Sequence, residues 1–223
     1  MSPEIRRLEN RRPCLQRLMD FIHRFVPAPA GGSVRTLVLL HGTGGNENDM
    51  ISLGRELDPA AALLSPRGHV LENGMPRFFR RLAEGVFDEE DVIRRAHELA
   101  DFVSAAAQQY GFDPRMVTAV GYSNGANMAA AILLLRPELL RGAILYRAMV
   151  PLTPPAAPDL SQTRVLLSSG KYDSIVPKEN AQRLATMLRE AGATVTMRVE
   201  ATGHALAFTD IEAGRIWIAE GDQ

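Results

Sequence analysis

Short apolar runs alternate with helical segments along most of this 223-residue chain, and that alternation limits the folds open to it. The run from Thr36 to Leu40 (TLVLL) is apolar throughout, which is typical of a strand covered on both faces. Further strands are predicted at 20–26, 61–64, 117–120, 142–146, 165–168 and 194–199, and helices at 46–57, 88–110, 124–135, 178–190 and 210–220. The pattern predicts one α/β domain with a mainly parallel central sheet and helices on both faces.

One stretch, residues 70–87, follows neither a helical nor a strand period. Glycine and proline interrupt it, so we expect a loop with a short helical turn. Its apolar side chains, Met75, Phe78 and Phe79 together with Phe87, could line a pocket for an acyl or aryl group. The alternative is that they pack beneath a long loop.

The balance of charges argues against a nucleic acid as partner. The chain has 25 Lys and Arg against 26 Asp and Glu, and no long basic stripe. The small cluster Arg77, Arg80 and Arg81 is interpreted as solvated charge rather than as a site for a substrate carboxylate. No apolar run could cross a bilayer. The one cysteine, Cys14, excludes an internal disulfide, favours a reducing, cytoplasmic setting and makes a Cys-based metal site improbable.

The first eighteen residues differ from the rest of the chain. Arginines alternate there with acidic and polar residues, and the continuous apolar stretch of a signal peptide is missing. We expect 1–18 to be a flexible or loosely docked appendage, because chain termini commonly are. The α/β domain would then occupy 19–223.

The motif with the clearest chemistry is Gly121-Tyr122-Ser123-Asn124-Gly125. It follows a predicted strand and opens a predicted helix, which is the setting of a nucleophile elbow in α/β hydrolases. The glycines suit a tight turn, and the helix start favours negative charge near Ser123. Ser123 is therefore the predicted nucleophile. The alternative is an ordinary turn with a capping serine.

A glycine-rich segment, His41-Gly42-Thr43-Gly44-Gly45, follows the strand at 36–40. In α/β hydrolases a loop in this position supplies one backbone N–H of the oxyanion hole, and the residue after the nucleophile supplies the other. These donors would be Thr43 and Asn124. A phosphate-binding loop is the alternative, but the Lys-Ser/Thr ending of a P-loop is missing. No cofactor is predicted.

Chain order selects the partners of Ser123, because the acid and then the histidine follow the nucleophile in this fold. His204 is the one histidine downstream of Ser123; the others are His23, His41, His69 and His97. Asp173 follows the strand at 165–168 and is the predicted acid, with Glu200 as the runner-up. His204 would act as general base, Asp173 would orient it, and Ser123 would carry the acyl group.

These residues resemble the phospholipase/carboxylesterase family of α/β hydrolases, which includes acyl-protein thioesterases. The resemblance covers LVLLHGTGGNENDM (37–50), SPRGHVLENGMPRFFRRLAEGVFDEED (65–91), AVGYSNGANMAAAILL (119–134), GKYDSIVP (170–177) and TGHAL (202–206). The second of these segments is similar to a bacterial subgroup of hydrolases associated with methylhydroquinone resistance. The resemblance implies Ser123, Asp173 and His204 as the triad and an enzyme that is often a homodimer.

Three functions are open to such a chain. The first is a carboxylesterase acting on small or medium acyl or aryl esters. The second is a thioesterase or lysophospholipase-like enzyme, which would use the same residues. The third is a catalytically silent hydrolase fold that serves as a binding protein, and the intact set of serine, acid and histidine argues against it.

Overall fold

A central sheet of seven strands organises the computed structural model, which describes residues 21–221. The strands of this region are β1 (His23–Val26), β2 (Thr36–Leu40), β3 (Ala62–Pro66), β4 (Val70–Glu72), β5 (Met75–Arg77), β6 (Arg81–Ala83), β7 (Val86–Phe87), β8 (Val117–Tyr122), β9 (Gly142–Tyr146), β10 (Arg164–Gly170) and β11 (Thr194–Glu200). The helices are α1 (Ile51–Leu57), α2 (Glu89–Tyr110), α3 (Asn124–Leu135), α4 (Lys178–Glu190) and α5 (Phe208–Glu220).

The strand order in the sheet is β1-β3-β2-β8-β9-β10-β11. β1 pairs with β3 in antiparallel fashion, and every other neighbouring pair is parallel. The prediction of a mainly parallel sheet in a single α/β domain is confirmed. The chain moves outward in one direction from β2 and in the other from β8, so a topological switch point lies between these two strands. Ligands of open α/β sheets bind outside the carboxyl ends of the strands at such a point.

Two hydrophobic clusters cover the two faces of the sheet. β2 divides its side chains between them: Val38 and Leu40 belong to one cluster, and Leu37 and Leu39 to the other. Helices α2, α3 and α4 pack on the first face, and α1 and α5 on the second. Helix α3 is buried along almost its whole length, which agrees with its apolar composition. The sheet is thereby held rigidly beneath the loops at its carboxyl edge.

The segment 70–87 differs from its prediction. It forms two small antiparallel hairpins, β4–β5 and β6–β7, and contains no helical turn. Asn73 and Gly74 both have positive φ angles, 52° and 80°, as a tight two-residue hairpin turn requires. Both hairpins escape prediction from the sequence because their strands have three residues or fewer, too short for an alternating pattern.

Several element boundaries also need correction. The first helix begins at Ile51, because residues 46–50 form turns in which the Asp49 carboxylate accepts hydrogen bonds from Asn46. The last helix begins at Phe208 rather than at 210. The first strand begins at His23. The predicted appendage at 1–18 lies outside the described residues.

Between residues 21 and 221, no helix has the length and the apolar character that crossing a membrane would require.

Candidate active site

The predicted catalytic and oxyanion-hole residues lie at the carboxyl edge of the parallel strands. The loop after β2 carries Thr43, the turn after β8 carries Ser123, and the loops after β10 and β11 carry Asp173 and His204. Because β2 and β8 flank the switch point, the glycine-rich loop and the nucleophile turn face the same crevice. Residues distant in sequence therefore meet without distortion of the sheet.

The turn at Ser123 has the backbone of a nucleophile elbow. Ser123 adopts φ 53° and ψ −114°, a region that non-glycine residues seldom occupy and that is associated with functional sites. The two glycines are required by close approach of the backbone. A Cβ atom on Gly121 would lie 2.6 Å from the nitrogen of Ala126, and one on Gly125 would lie 2.0 Å from the carbonyl oxygen of Leu40.

Ser123, His204 and Asp173 form one hydrogen-bonded chain. The Ser123 Oγ lies 2.9 Å from His204 Nε2, and His204 Nδ1 lies 2.8 Å from Asp173 Oδ2. An ionised carboxylate only accepts hydrogen bonds, so Nδ1 must carry the proton. Nε2 then presents its lone pair to the serine hydroxyl, which is the arrangement needed for general-base catalysis.

The Asp173 carboxylate is held in its charged form. Its side chain is fully buried, and its Oδ1 accepts hydrogen bonds from the backbone N–H groups of Ile175 and Val176. Burial alone would raise the pKa of Asp173, but these two bonds and the contact with His204 lower it below its ordinary value. Asp173 is thus fixed in orientation and ionised at neutral pH.

The other acid and base candidates have different surroundings. Glu200 pairs with Arg198 at 3.0 Å. The Nε2 of His23 is hydrogen bonded to the Tyr110 hydroxyl at 2.8 Å. His69 stacks on Phe21, and His97 is exposed on α2.

The predicted oxyanion donors, Thr43 and Asn124, both border the cavity in front of Ser123. In the region from 21 to 221, no hydrogen bond engages the backbone N–H of either residue. The N–H of Asn124 has no acceptor within the helix because Asn124 is the first residue of α3. Two backbone donors are therefore available beside the serine hydroxyl.

Arg77 supports the first of these donors, and its interpretation as solvated charge is wrong. It is 3 % exposed. Its Nη1 donates to the Thr43 hydroxyl oxygen at 2.8 Å and to Glu72 at 3.1 Å, and its Nε donates to the Phe79 carbonyl oxygen at 3.2 Å. The sequence offered no sign of this, because Arg77 itself lies on a hairpin that was not predicted and its partner Thr43 is 34 residues away.

The backbone of the same segment is hydrogen bonded to the glycine-rich loop and to Asn124. The Gly44 N–H donates to the Pro76 carbonyl oxygen at 2.9 Å. The Phe78 N–H donates to the side-chain oxygen of Asn124 at 2.7 Å. The β4–β5 hairpin and the two residues after it thus fix the loop after β2 and the start of α3 relative to each other.

His41 anchors the base of the glycine-rich loop. It is 1 % exposed. Its Nδ1 lies 2.7 Å from the Gly42 carbonyl oxygen, to which it donates, and its Nε2 accepts the Gly68 N–H at 3.0 Å. A proton on Nε2 would face the Gly68 N–H, so the fold requires neutral His41. Burial lowers the pKa of His41 accordingly.

The titration of His41 predicts an acid-dependent loss of stability. Its pKa is lowered in the folded state from an ordinary value of 6.5, so the unfolded chain binds the proton more readily. The free energy of unfolding should therefore fall as pH drops below 6.5, by at most about 1.4 kcal/mol per pH unit from this group. Urea denaturation between pH 5 and 8 measures it.

His41→Gln is the control for this effect, because an amide can donate and accept without titrating. The stability of wild type relative to this variant should fall on acidification and level off above pH 7.5. Parallel stability curves for the two proteins would remove His41 as the source.

The cavity at Ser123 has a volume of about 350 Å³. Phe87, Met149, Ile175 and Val176 supply its apolar wall. Its polar and remaining lining residues are Thr43, Arg77, Arg81, Glu84, Gly85, Tyr122, Asn124, Asn127, Arg147 and His204. The cavity is therefore mixed in character, with both apolar side chains and charged or polar groups around Ser123.

The predicted pocket of Met75, Phe78 and Phe79 needs correction, because none of the three lines this cavity. Phe78 and Phe79 are 3 % and 0 % exposed and pack in the hydrophobic core. Met75 faces outward on β5, with 41 % of its surface exposed. Phe87, from the same stretch, does line the cavity. The polarity of a segment indicates which side chains leave water, but not which of two apolar surroundings they enter.

A larger cavity, about 690 Å³, lies on α2 and is bordered by Phe21, His69 and several charged side chains. Within the part of the chain that the structure describes, no serine or cysteine lines it. Among residues 21–221, no group of three or more His, Cys, Asp or Glu side chains could hold a metal ion. The chemistry-bearing residues of the described region are therefore concentrated at the Ser123 cavity.

Comparison with known proteins gives a consistent result. The phospholipase/carboxylesterase family model matches residues 22–213. MhqD of Bacillus subtilis (strain 168), named as a hydrolase, is 49% identical over 190 residues, which are 85% of this chain and 95% of that protein. The Bacillus cereus carboxylesterase structure superposes with a TM-score of 0.86 at 43% identity, covering 90% of this chain and 94% of that one. A carboxylesterase from Mesorhizobium loti gives 0.84 at 32% identity, covering 89% and 94%.

Proposed function

We propose, from the premise that this chain belongs to the phospholipase/carboxylesterase family of hydrolases, that it cleaves carboxylic esters through an acyl-enzyme on Ser123. The observation that carries the proposal is the continuous chain of hydrogen bonds from Ser123 Oγ through His204 to Asp173. A silent binding protein would have no need for a strained serine backbone aligned with a histidine of defined tautomer.

The reaction follows from the geometry of these groups. His204 Nε2 takes the hydroxyl proton as Ser123 Oγ attacks the acyl carbon, and Asp173 stabilises the imidazolium. The carbonyl oxygen becomes an oxyanion that the N–H groups of Thr43 and Asn124 stabilise. His204 then gives the proton to the departing alcohol oxygen. Water, deprotonated by His204, releases the acid and restores the serine.

The cavity supports small or medium substrates. Its volume of about 350 Å³ lies at the lower end of the usual range for ligand sites, roughly 300–1,000 Å³. Its apolar wall of Phe87, Met149 and Val176 suits a short acyl chain or an aryl ring. The cytoplasmic setting rests on the single cysteine alone.

A series of p-nitrophenyl esters tests this function. We expect kcat/KM to be highest between acetate and hexanoate and to fall at least tenfold by dodecanoate, because the longer chain exceeds the cavity. A fluorophosphonate probe should also label wild-type protein stoichiometrically. Absence of both hydrolysis and labelling would leave the binding-protein alternative standing, whereas faster turnover of dodecanoate would overturn the size argument alone. Matched thioesters in the same series compare the two acyl classes.

A further inference from the structure

Arg147 is a fully buried charge beside the candidate active site, and the reaction described above does not use it. It follows β9, has a positive φ of 60°, and forms a bidentate ion pair with Asp210. Its Nη1 lies 2.9 Å from Asp210 Oδ1 and its Nη2 lies 2.6 Å from Oδ2; both side chains are 0 % exposed. A buried ion pair is costly to desolvate and gives little net stability. Its presence therefore calls for another explanation.

The remaining hydrogen bonds of Arg147 reach the loop that carries His204. Its Nε donates to the Gly203 carbonyl oxygen at 3.1 Å, and its Nη2 donates to the Ala205 carbonyl oxygen at 2.9 Å. The guanidinium thus grips the backbone on both sides of His204. The Tyr122 hydroxyl donates to the His204 carbonyl oxygen itself at 3.2 Å. Three consecutive carbonyl groups are fixed in this way.

We propose that Arg147 is a positioning residue, which sets the His204 imidazole at hydrogen-bond distance from Ser123 by clamping the carbonyl groups of Gly203 and Ala205. This inference rests on the proposed function. A substrate-binding role for Arg147 does not fit, although it borders the cavity. A guanidinium has five N–H donors. Those of Arg147 face Gly203, Ala205, Asp210 and the Ser168 carbonyl oxygen.

Asp210 is itself anchored, so that the clamp has a fixed counter-charge. Its carboxylate accepts hydrogen bonds from the Ser168 hydroxyl at 2.5 Å and from the Ala207 N–H at 2.8 Å. Burial would raise the pKa of Asp210, but the bonds from Arg147, Ala207 and Ser168 lower it below its ordinary value. The carboxylate stays ionised and neutralises the guanidinium.

The same cluster touches the nucleophile turn. The Ser123 N–H donates to the carbonyl oxygen of Tyr146, the residue before Arg147, at 2.9 Å. The Tyr146 hydroxyl donates to the Asp210 carbonyl oxygen at 3.1 Å. Hydrogen bonds therefore connect the backbones of Ser123 and of the His204 loop to the same group of residues at the end of β9. A shift of about 1 Å between two reacting groups can cost 10²-fold in rate.

The substitution Arg147→Lys separates the positioning role of the side chain from its positive charge. An ammonium could still pair with Asp210, but it lacks the planar fork that spans a carboxylate and two carbonyl groups. We expect Arg147→Lys to remain folded, with kcat and the rate of fluorophosphonate labelling lowered about 10- to 100-fold and KM changed less than threefold. The loss falls mainly on kcat because the N–H groups of Arg147 face protein acceptors and the other residues that line the cavity are unchanged.

Arg35→Lys is the matched control. Arg35 is a second buried arginine, paired with Asp58 at 2.8 Å, and it lies at the opposite end of β2 from the glycine-rich loop. This variant should lose stability like Arg147→Lys and retain wild-type kcat. A kcat of Arg147→Lys within threefold of wild type would overturn the proposal, as would a loss confined to KM or to the fraction of folded protein. Failure of the proposed function is a different outcome, in which wild type itself is neither active nor labelled.

Two further measurements do not depend on the stability of Arg147→Lys. Ser168→Ala removes one bond to Asp210 and should lower kcat about fivefold, the equivalent of one hydrogen bond; an unchanged kcat contradicts the proposal. A crystal structure of either variant should show residues 203–205 displaced and the distance from Ser123 Oγ to His204 Nε2 increased beyond 3.5 Å. An unmoved loop would overturn the clamp even if activity had fallen.

Discussion

Replacement of Ser123 by alanine should lower kcat for p-nitrophenyl acetate by about 10⁴- to 10⁶-fold, a loss typical of the removal of a triad nucleophile. The physical reason is that, between residues 21 and 221, no other hydroxyl is hydrogen bonded to His204 Nε2, which lies 2.9 Å from Ser123 Oγ. The residual rate would come from the oxyanion donors and from binding alone. Initial rates at saturating ester, measured on both proteins, give the comparison.

Alanine at this position should leave the fold unchanged, so that the loss reports on chemistry. The Ser123 side chain caps no backbone N–H of α3, and its backbone angles are fixed by neighbouring strands rather than by the hydroxyl. Ser104→Ala is the control, because Ser104 is also a helix-associated serine, bonded only to the Ala100 carbonyl oxygen. Ser104→Ala should keep full activity. Fluorophosphonate labelling that persisted in Ser123→Ala would assign the nucleophile to another residue.

The parallel sheet and the nucleophile turn could be predicted because their determinants are local. The run at 36–40 is apolar after Thr36, and all five residues are buried, as expected of a strand covered on both faces. A Cβ atom at Gly121 or Gly125 would clash with the backbone, so five consecutive residues are enough to indicate the turn. The positions of Asp173 and His204 followed from chain order, since each comes after a strand whose carboxyl end lies at the same edge.

The features that were missed depend on partners far along the chain. Arg147 follows a strand and resembles an ordinary surface arginine in sequence, but its partner Asp210 is 63 residues away. Arg77 was missed for the same reason, because its partner Thr43 lies 34 residues away. Their burial follows from the assembled fold, in which oxygen atoms from distant parts of the chain accept hydrogen bonds from the buried guanidinium groups. A period or a short motif carries no information about such pairs.

Asp173→Asn should lower kcat about 10⁴-fold by reversing the tautomer of His204. The Oδ1 atom of Asp173 accepts the N–H groups of Ile175 and Val176, so the oxygen of an asparagine would take that position. Its NH₂ group would then face His204 Nδ1, which would have to accept a hydrogen bond. The proton would move to Nε2, and the Ser123 hydroxyl would face a donor instead of a base. Steady-state kinetics at pH 7 to 8 on folded protein measures the loss.

Glu200→Gln is the matched comparison, because it makes the same change from carboxylate to amide at the other candidate acid. Glu200 pairs with Arg198, so its substitution should change kcat less than threefold. Wild-type activity in Asp173→Asn, or a large loss of activity in Glu200→Gln, would assign the role of the acid to Glu200 instead of Asp173. The contrast is sharp because both side chains are isosteric with their replacements. Only at position 173 does the amide meet an imidazole nitrogen, and there the inversion of one hydrogen bond removes the base from the reaction.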